Sequence, residues 1–349
     1  MLVITGIVIL QIGAALAGRM FGVVSPAALT GLRLWWAALI LAVLGGRGAV
    51  ATVRAVIADR AWRDAAVVLA FGVTLGVMNY SIYQSFARIP LGVAVTIEFL
   101  GPLAVAVASS RRLVDGAWVL LAGAGVVLLS EGFGGHRSVA GIAFALAAAT
   151  SWAIYILLSR ATGRRFTGSA GLTIAIVVAA VVVTPVAAAG ASAAMLRPSV
   201  LGITLAVALL SSVIPYRLEL EALRRIPARV FGIWMSLEPA VAALAGLLIL
   251  GEALSARQWL AIGCVTVASA GAARSEAGKA DRVVGGAPEA GTGQAPDAGR
   301  ASGTWPGSGT GPASGTGPAS GTGPTAGAGS GGPPGRERES AGLPPSPGA

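Results

Sequence analysis

The sequence predicts an all-α integral membrane protein: about ten transmembrane helices, arranged as two five-helix inverted-topology repeats, with a disordered C-terminal tail. Three observations predict it. Of 349 residues, 55% are hydrophobic and 11% charged, where a soluble domain is about a quarter charged. The charges cluster at intervals of about 20 residues, the length of helix that crosses a hydrocarbon core of about 30 Å. Finally, a segment of the first half recurs in the second half, displaced by an odd number of spans.

Taken in order, the apolar intervals of the first half run from Leu2 to Gly18, Pro26 to Gly45, Asp64 to Phe86, Leu91 to Ser109 and Gly116 to Ser130. Those of the second half run from Val139 to Leu158, Gly171 to Gly190, Val200 to Leu223, Ala228 to Leu250 and Ala256 to Ala273. The first ends in Ala15-Leu16-Ala17-Gly18, which resembles a signal-peptide cleavage site, but no positive segment precedes it and further spans follow, so it reads as helix one. Arginines set the orientation. Connections after even-numbered spans hold Arg47, Arg54, Arg60 and Arg63, then Arg111 and Arg112, then Arg160, Arg164 and Arg165, then Arg217, Arg224, Arg225 and Arg229. Those after odd-numbered spans hold one each: Arg19, Arg88, Arg137, Arg197 and Arg257. The positive-inside rule makes the even connections cytoplasmic, and with them both termini, in a bacterial cytoplasmic membrane.

From Ser275 the composition turns to Gly, Pro, Ser, Thr and Ala, and Ser308-Gly-Thr-Gly-Pro-Ala313 recurs at Ser314 to Ala319. Such a stretch cannot bury enough apolar surface to offset about 1–2 kcal/mol of backbone entropy per residue. The expected organisation is a repeat over 1–137, a second over 138–274 and a disordered cytoplasmic tail over 275–349.

The net charge of +10 does not indicate a nucleic-acid partner, because the basic residues lie between apolar spans instead of forming a patch with aromatics; membrane lipid is the surrounding partner. The single cysteine, Cys264, lies in an apolar span and excludes an intramolecular disulfide or a cysteine metal cluster. The only histidine, His136, is expected in an outer loop, no aspartate falls well inside a span, and there is no H-E-x-x-H motif. An intramembrane hydrolase is therefore excluded, and no cofactor or metal is expected.

Arg88-Ile-Pro-Leu-Gly-Val-Ala-Val-Thr-Ile-Glu-Phe-Leu-Gly-Pro102 registers without a gap on Arg225-Ile-Pro-Ala-Arg-Val-Phe-Gly-Ile-Trp-Met-Ser-Leu-Glu-Pro239. Spans four and nine are thus equivalent, yet Pro90 begins one outside and Pro227 begins the other inside. Inverted repeats of this kind are a recurring architecture of secondary transporters. The stretch Asn79 to Arg112, beginning Asn-Tyr-Ser-Ile-Tyr-Gln-Ser-Phe-Ala-Arg-Ile-Pro, resembles the threonine/homoserine exporter group of the drug/metabolite transporter superfamily, in its EamA-domain branch. So do Pro215-Tyr-Arg-Leu-Glu-Leu-Glu-Ala-Leu-Arg-Arg-Ile-Pro227 and the segment from Met235-Ser-Leu-Glu-Pro to Leu-Gly-Glu252. The resemblance covers residues 1 to about 273. It implies a small-metabolite exporter, with amino acids such as threonine and homoserine as cargo. The alternatives are a drug or another metabolite as cargo, and more remotely a channel.

Ionisable groups in a hydrocarbon core are costly and mark functional candidates. Glu98 lies about 12 Å along its helix from Pro90, Glu238 about 16 Å from Pro227 and Arg33 about 10 Å from Pro26. Pro102 and Pro239 cannot donate to the carbonyls of Glu98 and Met235, so a helix irregularity accompanies each glutamate. A cation near two carboxylates suits a zwitterion. Arg33 would take its carboxylate in a bidentate fork, while Glu98 or Glu238 takes its ammonium and carries an exchanged proton. Arg33 and Glu98 neutralising each other as a structural pair is the competing reading. Asn79, Tyr83 and Gln84 on span three, and Trp152 and Tyr155 on span six, are expected to line the same cavity, or else to serve as packing and interfacial residues.

Overall fold

The computed structural model describes residues 1–108, 113–130, 136–166 and 170–285. The described chain is helical throughout: α1 (Leu2–Arg19), α2 (Pro26–Ala58), α3 (Trp62–Phe86), α4 (Leu91–Glu98), α5 (Leu100–Ala108), α6 (Leu113–Ser130) and α7 (His136–Gly163). These are followed by α8 (Ala170–Ala189), α9 (Pro198–Ala208), α10 (Ile214–Arg225), α11 (Ala228–Met235), α12 (Glu238–Ala245) and α13 (Ala256–Gly285). Among the described residues, seven helical stretches are long and apolar enough to cross a membrane: Leu2–Gly22, Pro26–Ala58, Trp62–Phe86, Leu91–Ala108, Val139–Gly163, Ala170–Ala189 and Val230–Leu250. Gly116–Gly125 and Pro198–Val213 are apolar but shorter. α13 opens with Arg257 and Gln258 and runs on into Glu276, Lys279, Asp281 and Arg282, which dilutes its apolar run.

Several expected boundaries shift for physical reasons. α2 starts where Pro26 follows Ser25, whose Oγ accepts from the Ala28 amide at 3.2 Å, a cap that satisfies a free first-turn donor. It does not stop at Gly45 but continues to Ala58, because the segment after the glycines is rich in Ala and Arg and contains no proline. At 33 residues and about 1.5 Å per residue, it exceeds the hydrocarbon thickness of about 30 Å. His136, expected in a loop, is the first residue of α7. α13 passes the expected end at Ala273 and reaches Gly285, through a Glu-Ala-Gly-Lys-Ala-Asp-Arg run of mostly helix-compatible residues. Residues 286–349, which carry most of the expected tail, lie outside the described residues, as do Arg111 and Arg112.

The expected fourth and ninth spans are each broken in two. α4 ends at Glu98 and α5 begins at Leu100; α11 ends at Met235 and α12 begins at Glu238. The breaks at Phe99 and Ser236 occupy registered positions, each three residues before a proline that withholds an amide from the ladder. A π-turn over Leu209–Val213 joins α9 to α10, where Pro215 leaves the carbonyl of Ser211 without its helical donor.

Packing sets these breaks at the centre. α3 packs on α7 and α8, α2 on α8, α4 on α12, α1 on α10, and α6 on α13. Leu34, Phe71, Leu75, Ile156 and Ile176 form one buried cluster between α2, α3, α7 and α8. Leu91, Val95, Ala242 and Val265 form another, joining α4, α12 and α13. Small residues allow a close crossing of α4 and α12: a Cβ on Gly92 would lie 2.5 Å from Ala243 Cα, the close backbone approach on which membrane helix packing relies.

Candidate functional site

The helix breaks open onto a cavity of about 140 Å³ bounded by α1, α2, α3, α4, α7, the π-turn, α10, α11 and α12. Its wall includes Arg33, Asn79, Tyr83, Glu98, Trp152 and Glu238. Six of the eight residues singled out from the sequence are thereby brought together. The size class is that of a small molecule, since a cavity of about 150 Å³ holds a benzene ring.

Arg33 is the cationic group in the cavity wall. Arg33 is 7% exposed; its Nη2 donates to Asn79 Oδ1, and the guanidinium lies over the Tyr83 ring, 4.9 Å from the centroid. Asn79 is held in turn by its Nδ2, which donates to the Leu75 carbonyl at 2.8 Å. Arg33 Nε and the Tyr83 hydroxyl are buried without a hydrogen-bond partner among the described residues. The acidic groups in the wall are Glu238 and Glu98. Glu238, 6% exposed, accepts from Gln11 Nε2 at 3.0 Å through Oε1, while its Oε2 is unpartnered. Glu98 is half-buried on the same wall, with Glu238 and Arg33 as the charged groups acting on it. Among the described residues Arg33 forms no ion pair with Glu98; its fixed partners are Asn79 and the Tyr83 ring, which weighs against the structural-pair reading. Trp152 closes one side, edge-on to Phe99 at 5.2 Å between ring centroids.

Two expected residues lie elsewhere. Gln84 accepts from Arg88 Nη1 at 2.7 Å, because it is one helical turn from that arginine and faces it and not the cavity. Tyr155, 1% exposed, packs against Phe71 at 5.1 Å between ring centroids, in the cluster behind α3. Conversely, Gln11, Ser211 and Met235 line the cavity and were not among the expected residues. Gln11 had a signal: it is the sole polar side chain between Thr5 and Arg19. Ser211 had a weaker one, in a proline four residues downstream within an apolar run.

Broken apolar helices around a charged, small-molecule-sized cavity define a multi-pass membrane transporter. A family model described as the EamA-like transporter family matches residues 139–273. The threonine/homoserine exporter RhtA of Escherichia coli K12 is 42% identical over 270 residues, covering 75% of this chain and 86% of that protein. The protein of the same name from Salmonella typhimurium LT2 is 40% identical over the same shares. A crystal structure of another protein, 19% identical, shares the fold with a TM-score of 0.52 over 79% of this chain and 97% of its own. The chain belongs to the EamA-like transporter family, in the EamA branch of the drug/metabolite transporter superfamily.

Proposed function

We propose that this protein is a secondary active exporter of small amino acids, threonine and homoserine among them, across the bacterial cytoplasmic membrane, working by proton antiport and alternating access. The observation that carries the reading is the mixed charge of the cavity wall: a buried arginine with unpartnered Nε and two glutamates line one space of about 140 Å³. The names of the relatives that are 40–42% identical point to the same cargo. Arg33 takes the α-carboxylate, Glu238 with Gln11 holds the ammonium, and Glu98 exchanges the proton; Asn79 and Tyr83 orient Arg33, and Trp152 walls the site. In this reading residues 1–137 and 138–274 are the two inverted five-helix repeats of a ten-helix bundle, with both termini cytoplasmic. The unbroken register from Arg88 to Pro102 on Arg225 to Pro239, and helix breaks at the registered Phe99 and Ser236, support that arrangement. The test is counterflow in proteoliposomes. Internal unlabelled threonine should accelerate uptake of labelled threonine, and an imposed proton gradient should drive net flux. Flux without trans-stimulation would instead indicate a channel, and trans-stimulation by drugs alone would replace the cargo.

A further inference from the structure

We propose that Gln11 and Ser211 form a hydroxyl-reading subsite that selects hydroxylated small amino acids over their deoxy counterparts; the inference rests on the amino-acid reading of the same cavity. Gln11 is 2% exposed. Its Nε2 is committed to Glu238, and its Oε1 is buried without a partner among the described residues. A buried acceptor with no donor is costly, and a bound group that supplies the donor recovers that cost. Ser211 lies in the π-turn, a helix distortion that recurs at functional sites, and its Oγ donates to the Val207 carbonyl. That leaves the oxygen's lone pairs to accept.

Both residues line the cavity, and α1 and the π-turn pack closely at Gly13. A Cβ there would lie 3.2 Å from both the amide nitrogen and Oγ of Ser211. Leu10, Ala14, Pro215 and Met235 also line the cavity, so apolar side chains as well as Glu238 bound the space open to a cargo side chain. A substrate hydroxyl entering here donates to Gln11 Oε1 or Ser211 Oγ, two acceptors that together suit a hydroxyl on either the β or the γ carbon. A substrate without the hydroxyl leaves Gln11 Oε1 unpaired. Sites built to hydrogen-bond a hydroxyl reject the analogue that lacks it far more strongly than an apolar pocket rejects a missing methylene.

Threonine and homoserine share one deoxy analogue, 2-aminobutyrate, and this permits a direct test. Binding of the three compounds to the purified full-length protein is measured by isothermal calorimetry in detergent, for the wild type, Gln11→Met and Ser211→Ala. The expected result is a wild-type preference for threonine and homoserine over 2-aminobutyrate of about tenfold to a hundredfold. Gln11→Met, which also removes a donor from Glu238, should weaken all three ligands but the hydroxylated ones more, bringing the ratio to within about threefold, and Ser211→Ala should lower it part of the way. Wild-type protein that binds 2-aminobutyrate as tightly as threonine overturns the subsite and leaves the amino-acid reading in place. Wild-type protein that binds none of the three overturns both. A Gln11→Met protein that weakens all three ligands equally reduces Gln11 to a support for Glu238 and overturns its role in selection. If Gln11→Met does not fold, the wild-type ratio and Ser211→Ala decide the matter.

Discussion

Replacing Arg33 by lysine tests the central assignment, because it keeps the charge and removes the fork. In the structure one guanidinium nitrogen is committed to Asn79, the plane rests on Tyr83 at 4.9 Å, and Nε is buried and unpartnered. That leaves Nε to donate to a carboxylate, while Nη2, which carries two hydrogens and lies on the same edge as Nε–H, can serve both Asn79 and the second carboxylate oxygen. A lysine ammonium is a point charge that cannot serve Asn79 and both carboxylate oxygens while stacking on the ring. The loss is about one charge-assisted hydrogen bond, ~1.5–3 kcal/mol, with part of the ring attraction retained. About 2 kcal/mol corresponds to an affinity about 30-fold weaker. The assay is the half-saturating threonine concentration in proteoliposome counterflow, normalised to monodisperse protein. A value within about threefold of wild type would refute carboxylate binding by the fork. So would normal export by the double variant Arg33→Met, Glu98→Met, which a merely structural pair predicts.

Glu98→Gln keeps shape and hydrogen bonding but cannot titrate, so proton-driven threonine export should be lost at normal expression; a proton-driven rate equal to wild type sinks the coupling role. Gly92→Ala places a Cβ 2.5 Å from Ala243 Cα and should destabilise by about 1–3 kcal/mol, seen as a lower unfolding midpoint in detergent, whereas Gly48→Ala, with nothing within 4 Å of its new Cβ, should not. Glu252, beyond the span that ends at Leu250, accepts from the Leu91 amide at 2.8 Å; burial pushes its carboxyl above the ordinary 4.5, with the Leu91 hydrogen bond opposing. A carboxyl with a raised folded-state value stabilises fully below its unfolded value and loses that contribution as pH rises through the folded one. The unfolding midpoint of wild type minus that of Glu252→Gln should therefore fall as pH rises from about 4.5 upward, and a flat difference would contradict the shift. A reporter active only in the cytoplasm should work when fused after Gly285, and one active only outside should work next to His136; reversal of both would overturn the orientation.

Helix positions were legible because they depend on local properties, apolar length and the prolines at 26, 90, 102, 215, 227 and 239. Where the sequence misled, local and tertiary signals diverged. Gly45 and Gly46 looked like the end of a helix, but glycine inside a helix costs only about 1 kcal/mol relative to alanine, and α2 continues. That Glu98, Glu238 and Arg33 would line one cavity was legible because charge inside an apolar span has few structural uses. Gln84 and Tyr155 were not separable from Asn79 and Tyr83 by sequence, since the decision lies in rotation about the helix axis. Asn79 and Tyr83, one turn apart, share a face toward the cavity, whereas Gln84 turns toward Arg88. Which polar atoms remain unpaired, at Gln11 Oε1 and Arg33 Nε, is a property of assembled helices and has no counterpart in a one-dimensional pattern.

The two glutamates do not register with each other. Glu98 registers with Met235, and Glu238 with Gly101, yet all but the glycine line one cavity. The breaks account for this: Glu98 is the last residue of α4 and Glu238 the first of α12, so each flanks an interruption at the same registered position, from opposite sides. Glu98 therefore meets the carbonyl end of a helix, whereas Glu238 meets an amide end, with Pro239 following it and Gln11 donating to it. An amide end favours a fixed negative charge and a carbonyl end does not. On the proposed reading this asymmetry divides the labour: Glu238, held by Gln11, takes the cargo's ammonium, and Glu98, with no side-chain hydrogen bond among the described residues, is the group that gives up and regains a proton. A perfectly symmetric pair of acids would leave proton and cargo competing on equal terms at both positions. On that reading, placing the two acids on opposite sides of the registered breaks gives the two ligands different places to bind.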